Sequence, residues 1–173
     1  MFNKIALVGG THGNETSGIQ LIRNWQAFGL PSRFSTLNVS LNIANEAALE
    51  ANVRFVEEDL NRQFTFDGLA SSNTSKEAVL AKTLNQKFGP KGNSATDFVI
   101  DIHNTTSAMG ATLILLEADD FHTQLGRYVK QHMPEANILV EDEKPYLEHG
   151  YLSTQNTYDK KREEREFWEP LWE

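Results

Sequence analysis

Residues 4–15 read Lys4-Ile5-Ala6-Leu7-Val8-Gly9-Gly10-Thr11-His12-Gly13-Asn14-Glu15. The short apolar run over 4–8 closes on two glycines, which suits a strand buried on both faces. The polar segment 11–15 then forms a tight turn. Behind it, Ile19, Leu21, Ile22, Trp25 and Phe28 recur near helical spacing until Gly29 and Pro31 stop the pattern. The opening is therefore strand, loop, helix. A turn leaving the carboxyl end of such a strand is where open α/β sheets place their ligands.

The alternation continues downstream. Residues 37–43 alternate apolar and polar and suit a second strand; 46–52 suit a short helix. Residues 54–64 are dense in charge and have no clear period, and 67–74 read as a Gly/Ser/Asn loop. Residues 75–88 suit a helix with Ala78, Val79, Ala81 and Leu84 as its buried stripe, ended by Gly89-Pro90. The segment 97–103 is the next strong strand. Side chains alternate along a strand, so Phe98, Ile100 and Ile102 share one face, while Asp101 and His103 share the other. A strand over 111–116, a helix over 119–133 and a short strand over 137–141 complete the pattern. Strands alternating with helices predict an α/β fold: a mixed, largely parallel sheet with helices on both faces.

Composition narrows the function. The chain has 173 residues and no cysteine, so disulfides, thiolate zinc sites and thiol nucleophiles are excluded. Its formal net charge is −8. Phosphate backbones are held by clustered Lys and Arg, so nucleic acid is not an expected partner. No apolar run approaches the roughly 20 residues of a membrane span. The first ten residues read as a strand rather than a signal peptide, so a cytoplasmic location is expected. Residues 1–155 form the expected α/β domain. Residues 156–173 differ in composition: a charged run over 159–166 precedes Phe167-Trp168-Glu169-Pro170-Leu171-Trp172. Such a run suits a solvated helix or tail. Its aromatics would dock on the domain or on another chain, so a homo-oligomer is one expected partner.

The chemistry concentrates in three places. His12 and Glu15 can converge on one zinc ion, since imidazole and carboxylate are both zinc ligands. Taken alone, the pattern also fits a surface turn with a helix N-terminal Glu. His103, at the end of its strand, is a plausible third ligand, and two His with one Glu and an open position is a catalytic zinc arrangement. Asp101 would then hold an imidazole in orientation, and Asn104 follows directly. Arg54 with Asn61 and Arg62 suits a substrate bearing carboxylates, because guanidinium binds carboxylate through two parallel hydrogen bonds. The alternative is surface ion pairs to Glu57, Glu58 or Asp59. His122 and His132 lie on the helix over 119–133 and read as ordinary surface or partly buried residues, and His149, in a polar turn, reads as structural.

Three motifs now coincide in order and spacing: Val8-Gly9-Gly10-Thr11-His12-Gly13-Asn14-Glu15, Asp59-Leu60-Asn61-Arg62, and Asp101-Ile102-His103-Asn104-Thr105-Thr106-Ser107-Ala108-Met109-Gly110. Together they resemble the aspartoacylase family of zinc amidohydrolases, which have a carboxypeptidase-like fold. The related succinylglutamate desuccinylases share the first two motifs. The resemblance covers residues 1–155. It implies one zinc ion on His12, Glu15 and His103, and Arg54 as the residue that polarises the amide carbonyl. It implies Asn61 and Arg62 as holders of the substrate carboxylate, and Tyr151 as part of the pocket lining. The implied reaction is hydrolysis of the amide bond of a small anionic N-acyl amino acid such as N-acetylaspartate, with N-succinylglutamate as the alternative substrate within the family.

One departure stands against that reading. Family members are about twice as long, and after the stretch resembling 151–154 they carry a Glu-Val-Gly segment whose glutamate is the general base. Here Gln155-Asn156-Thr157-Tyr158-Asp159 follows instead. The 1–155 domain is thus expected to be the N-terminal catalytic portion without that base. A non-catalytic zinc-binding or assembly protein derived from a shortened hydrolase is the competing expectation.

Overall fold

The computed structural model describes residues 3–155; the charged run and aromatic cluster of 156–173 lie outside the described residues. The backbone divides into two compact units. The first holds the chain up to Asn104 and again from Gly150; the second is Thr105–His149.

The first unit is built on three strands, β1 (Lys4–Gly9), β2 (Asn38–Ile43) and β3 (Phe98–Ile102), in the order β2-β1-β3. Both pairings are parallel, as expected from the strand–helix alternation. Val8 lies opposite Asn42 on one side and Asp101 on the other, and Gly9 lies opposite Ile43 and Ile102. The strands therefore end together, and the turn after β1 and the segment after β3 leave the sheet side by side. That register is what brings His12 toward His103.

Helices cover both faces. Ala6, Val8 and Val99 point into a core with Ala81, Leu84 and Phe88 of α4 (Lys76–Phe88), joined by Leu60, Phe64 and Leu152. The opposite face meets α1 (Thr16–Phe28), whose buried residues are Gly18, Ile19 and Ile22. The helix comes so close that a Cβ on Gly18 would sit 2.8 Å from the carbonyl oxygen of Ile102. Phe28, counted in the apolar stripe, is at the helix end and is 87% exposed.

Two local expectations change. On α4 the residue expected inside, Val79, is half exposed, while Glu77 is fully buried. At Glu77 the helix faces a loop whose N–H groups have no partner in a strand or helix, and the carboxylate accepts from them. The segment expected as a loop over 67–74 begins with a short helix, α3 (Phe66–Ala70), because Thr65 caps it by accepting from the Gly68 N–H. A further helix, α2 (Glu46–Glu50), is capped by Asn45.

The second unit is a strand–helix–strand element. Its strands β4 (Thr112–Leu115) and β5 (Asn137–Val140) pair in parallel, and α5 (Asp120–His132) connects them. Leu115, Phe121 and Gly126 are buried within it. No helix among the described residues is long and apolar enough to cross a membrane.

Candidate metal centre

The turn after β1 is shaped by a close approach. A Cβ on Gly13 would fall 2.1 Å from the backbone carbon of Ala48 in α2, so only glycine fits. Gly13 N–H donates to the carbonyl of Arg54 at 3.2 Å, which ties the turn to the charged segment 54–59. Held in this way, His12 and Glu15 are both buried, 3% and 7% exposed.

Glu15 is the hub. Its Oε1 lies 2.7 Å from His12 Nδ1, and its Oε2 lies 2.8 Å from His103 Nδ1. The Asn104 N–H donates to Oε2 at 2.9 Å, and Arg54 donates to Oε1 at 3.1 Å. Asn104 also holds the start of α1, where its side chain accepts from the Ser17 N–H and donates to the Ser17 hydroxyl. The expected trio His12, Glu15 and His103 thus converges, with ligand atoms all within 4.8 Å of one another.

The outward ring nitrogens are equally committed. His12 Nε2 lies 3.0 Å from Asp59 Oδ1, and His103 Nε2 lies 2.8 Å from Asp101 Oδ2. Asp101 is steadied in turn by the Thr11 hydroxyl at 2.8 Å. The expectation that Asp101 and His103 share a face holds. Asp59, whose place beside two arginines suggests a surface ion pair, instead bonds a histidine 47 residues away. Its signal in the sequence was its place at the head of Asp59-Leu60-Asn61-Arg62.

This geometry suits a metal ion. Each imidazole faces carboxylates on both sides. With Nε2–H donated outward, each Nδ1 presents a lone pair toward Glu15, so two acceptors face each other at under 3 Å unless a positive charge sits between them. The charge count agrees: Glu15, Asp59 and Asp101 against Arg54 leave two negative charges, which a proton on His103 alone does not cancel. A divalent cation on the inward Nδ1 atoms and the Glu15 carboxylate answers both demands. The outer aspartates then form the carboxylate–histidine pairs that fix tautomer and ring orientation. Two nitrogens and a carboxylate match the zinc donor set.

The protonation behaviour reflects the same surplus of negative charge. Burial alone would push His103 down, but its bonds to Asp101 and Glu15 outweigh it and raise the imidazole to about 10. Burial would raise Glu15, but hydrogen bonds from His103, His12 and the Asn104 N–H hold its carboxyl well below the ordinary range. Asp59 is held low in the same way, burial being outweighed by His12, the Asn61 N–H and Arg54.

The expected substrate residues form an adjoining group. Arg62 stacks over the ring of Tyr151, its guanidinium carbon 5.1 Å from the centroid. Asn61 accepts from the Leu152 N–H at 2.9 Å through its side-chain oxygen, and its own N–H donates to Asp59 at 2.9 Å. Asp59 therefore joins this group to the metal centre. Arg54 bonds Glu15 and approaches Asp59 at 3.5 Å, with its side chain 49% exposed. In the second unit, Glu117, Asp119 and His122 also come within 4.8 Å of one another. There Asp119 caps α5 and bonds the His122 ring at 2.7 Å; His122 is buried rather than at the surface or half-buried, because its ring has this carboxylate as a partner.

Comparison with known proteins places the chain in a family. Residues 2–159 match the model of the succinylglutamate desuccinylase/aspartoacylase catalytic domain. The chain is 42% identical over 153 residues to an aspartoacylase of Xenopus tropicalis, covering 85% of this chain and 49% of the relative. It is 41% identical over 131 residues to an N-acyl-aromatic-L-amino acid amidohydrolase (carboxylate-forming) of Xenopus laevis, covering 74% of this chain and 43% of the relative. Among solved structures, murine aminoacylase 3 matches with a TM-score of 0.78 at 32% identity, covering 90% of this chain and 53% of that one. The chain thus spans about half the length of the curated relatives it matches.

Proposed function

The chain belongs to the succinylglutamate desuccinylase/aspartoacylase catalytic-domain family, and we propose that it binds one zinc ion on His12, Glu15 and His103 and carries the substrate-facing groups for hydrolysing the amide of a small anionic N-acyl amino acid. The observation that carries this reading is the pair of inward Nδ1 atoms, each with its outward Nε2 tied to an aspartate. When bound, zinc supplies a Lewis acid for the amide carbonyl and lowers the pKa of water.

The chain's own residues divide the remaining work. Asp59 and Asp101 hold the imidazoles in one tautomer. Arg54 reaches the centre from a half-exposed position, so turning its fork from Glu15 toward a substrate carbonyl needs no rearrangement of the core. Donors aimed at a developing oxyanion are worth far more than in water, because the site is partly desolvated. Arg62 and Asn61 hold the substrate carboxylate beside Tyr151, which keeps the acyl amide near the metal.

A second reading rests on one observation. Glu15, Asp59 and Asp101 are each committed to a histidine, so none of the three is available to shuttle the proton. Losing a general acid/base typically costs 10²–10⁴-fold. A zinc-binding protein without turnover is the alternative. Metal analysis combined with assays of N-acetylaspartate, an N-acyl aromatic amino acid and N-succinylglutamate separates the two. Hydrolysis abolished by chelation supports the amidohydrolase and identifies the acyl class. One zinc per chain with no hydrolysis of any substrate supports the binding protein. Absence of bound zinc overturns both.

A further inference from the structure

Glu77 is a charged residue without a part in the site described above, yet it is fully buried in α4. Its Oε1 accepts from the Val56 N–H at 2.7 Å and from Asn45 Nδ2 at 3.1 Å. Its Oε2 accepts from the Glu57 and Glu58 N–H groups, each at 3.1 Å. These three consecutive amides belong to the irregular segment between Arg54 and Asp59, which has no ladder or helix of its own to satisfy them. Burying a carboxylate is costly unless it is fully hydrogen-bonded. Here the bonds outweigh burial and hold the Glu77 carboxyl below its usual range.

The chemistry requires the charge. All four partners are donors, so both side-chain oxygens must accept. Gln has one acceptor oxygen and one NH₂ donor. In either orientation it would turn a donor toward one pair of N–H groups and leave them unsatisfied in the interior.

We propose that Glu77 is a positioning residue of the metal centre: its carboxylate clamps the 56–58 amides and thereby sets Asp59 against His12 and Arg54 against Glu15. The same carboxylate, through Asn45, ties this segment to α2, against which Gly13 packs. The turn bearing His12 and the loop bearing its aspartate thus share one buried anchor. Other ties run to the start of α4, where Glu58 accepts from Asn73 and Ser75, and Glu57 accepts from the Lys76 N–H. Those bonds are peripheral, whereas Glu77 holds the segment from inside.

This inference rests on the zinc reading, and its test separates the two. Zinc dissociation constants are measured by chelator competition on the full 173-residue chain, together with the visible absorption of the cobalt(II)-loaded protein. Glu77→Gln is expected to weaken zinc binding about tenfold, as loss of groups behind the ligands does, and to alter the cobalt bands. Glu77→Asp, which keeps both acceptors, recovers part of the affinity. Ala81→Gly on the same helix lowers stability without touching the loop, and zinc affinity of its folded fraction stays at the wild-type value. If Glu77→Gln does not fold, Glu77→Asp against Ala81→Gly makes the same comparison. Unchanged affinity and cobalt bands in the folded Glu77 variants overturn the proposal and leave the zinc reading intact. A wild-type chain that binds no zinc overturns the reading itself and the proposal with it.

Discussion

His12 Nε2 lies 3.0 Å from Asp59 Oδ1, and this bond spans 47 residues of chain. It joins the turn after the first strand to the Asp59-Leu60-Asn61-Arg62 segment and fixes which ring nitrogen faces inward. Asp59→Asn keeps the shape but removes the charge that favours the Nε2–H tautomer. Zinc affinity is expected to fall 10–100-fold, measured by competition with a chelating dye. An unchanged dissociation constant would show that Asp59 does not orient the ligand.

Arg54 is expected to act on the substrate and not on the metal. Arg54→Ala should leave one zinc per chain while lowering hydrolysis by 10²-fold or more, the scale seen when an oxyanion donor is removed. Metal analysis and steady-state rates on the same preparation check both halves. Loss of zinc in the variant would move Arg54 from catalysis to construction of the site.

Metal binding should also appear as stability. A ligand that binds only the folded state, at a hundredfold excess over its Kd, adds about 2.7 kcal/mol. Zinc is expected to raise the unfolding midpoint of the wild type and to leave that of His12→Ala where it stands. Differential scanning calorimetry with and without metal decides this.

Gly13→Ala places a Cβ 2.1 Å from the Ala48 backbone. Neither backbone can retreat without moving α2, so the substitution is expected to destabilise the fold by about 3 kcal/mol and to lower zinc occupancy. Urea unfolding monitored by tryptophan fluorescence measures it. A fully stable variant would mean that the turn and α2 separate easily.

Lys91 carries a pH dependence remote from the metal. Its ammonium donates to the Phe64 carbonyl and the Thr154 hydroxyl in the interior, and burial pushes it down to about 8. The unfolded chain keeps that proton up to the ordinary value of 10.5. Between these values the unfolded state binds more protons, so this residue's contribution to stability rises as pH increases from about 8 toward 10.5. The stability difference between wild type and Lys91→Met is expected to grow in favour of the wild type over that window. Urea titrations at pH 7.5 and 10 test it; a constant difference would count against the shift.

Much of this arrangement was legible along the chain. The apolar run closing on Gly9-Gly10, the helical spacing after Glu15 and the alternation over 98–103 are local rules of strand and helix, and each element formed where they place it. Val79 and Glu77 show where such rules fail. Val79 points away from the core side of α4, two residues and about 200° of helix from Glu77, while Glu77 turns inward to take the N–H groups of 56–58, and a demand made by residues 56–58 appears nowhere in the helix's own period. Asp59 was obscured for a related reason: a carboxylate beside two arginines resembles a surface ion pair until the histidine it meets is known.

The division between chain and fold follows from the range of each interaction. His12 and Glu15 lie three residues apart in one turn, and Asp101 and His103 two apart at the end of β3, so backbone geometry of a few residues sets their closeness. The meeting of those two pairs depends on the parallel register that ends β1 and β3 together. The choice of Asp59 for the outer nitrogen of His12, and of Glu77 for the loop that presents it, depends on where α4 and an irregular segment pack. Those positions minimise unsatisfied polar groups over the whole core, a condition that no short stretch of sequence contains.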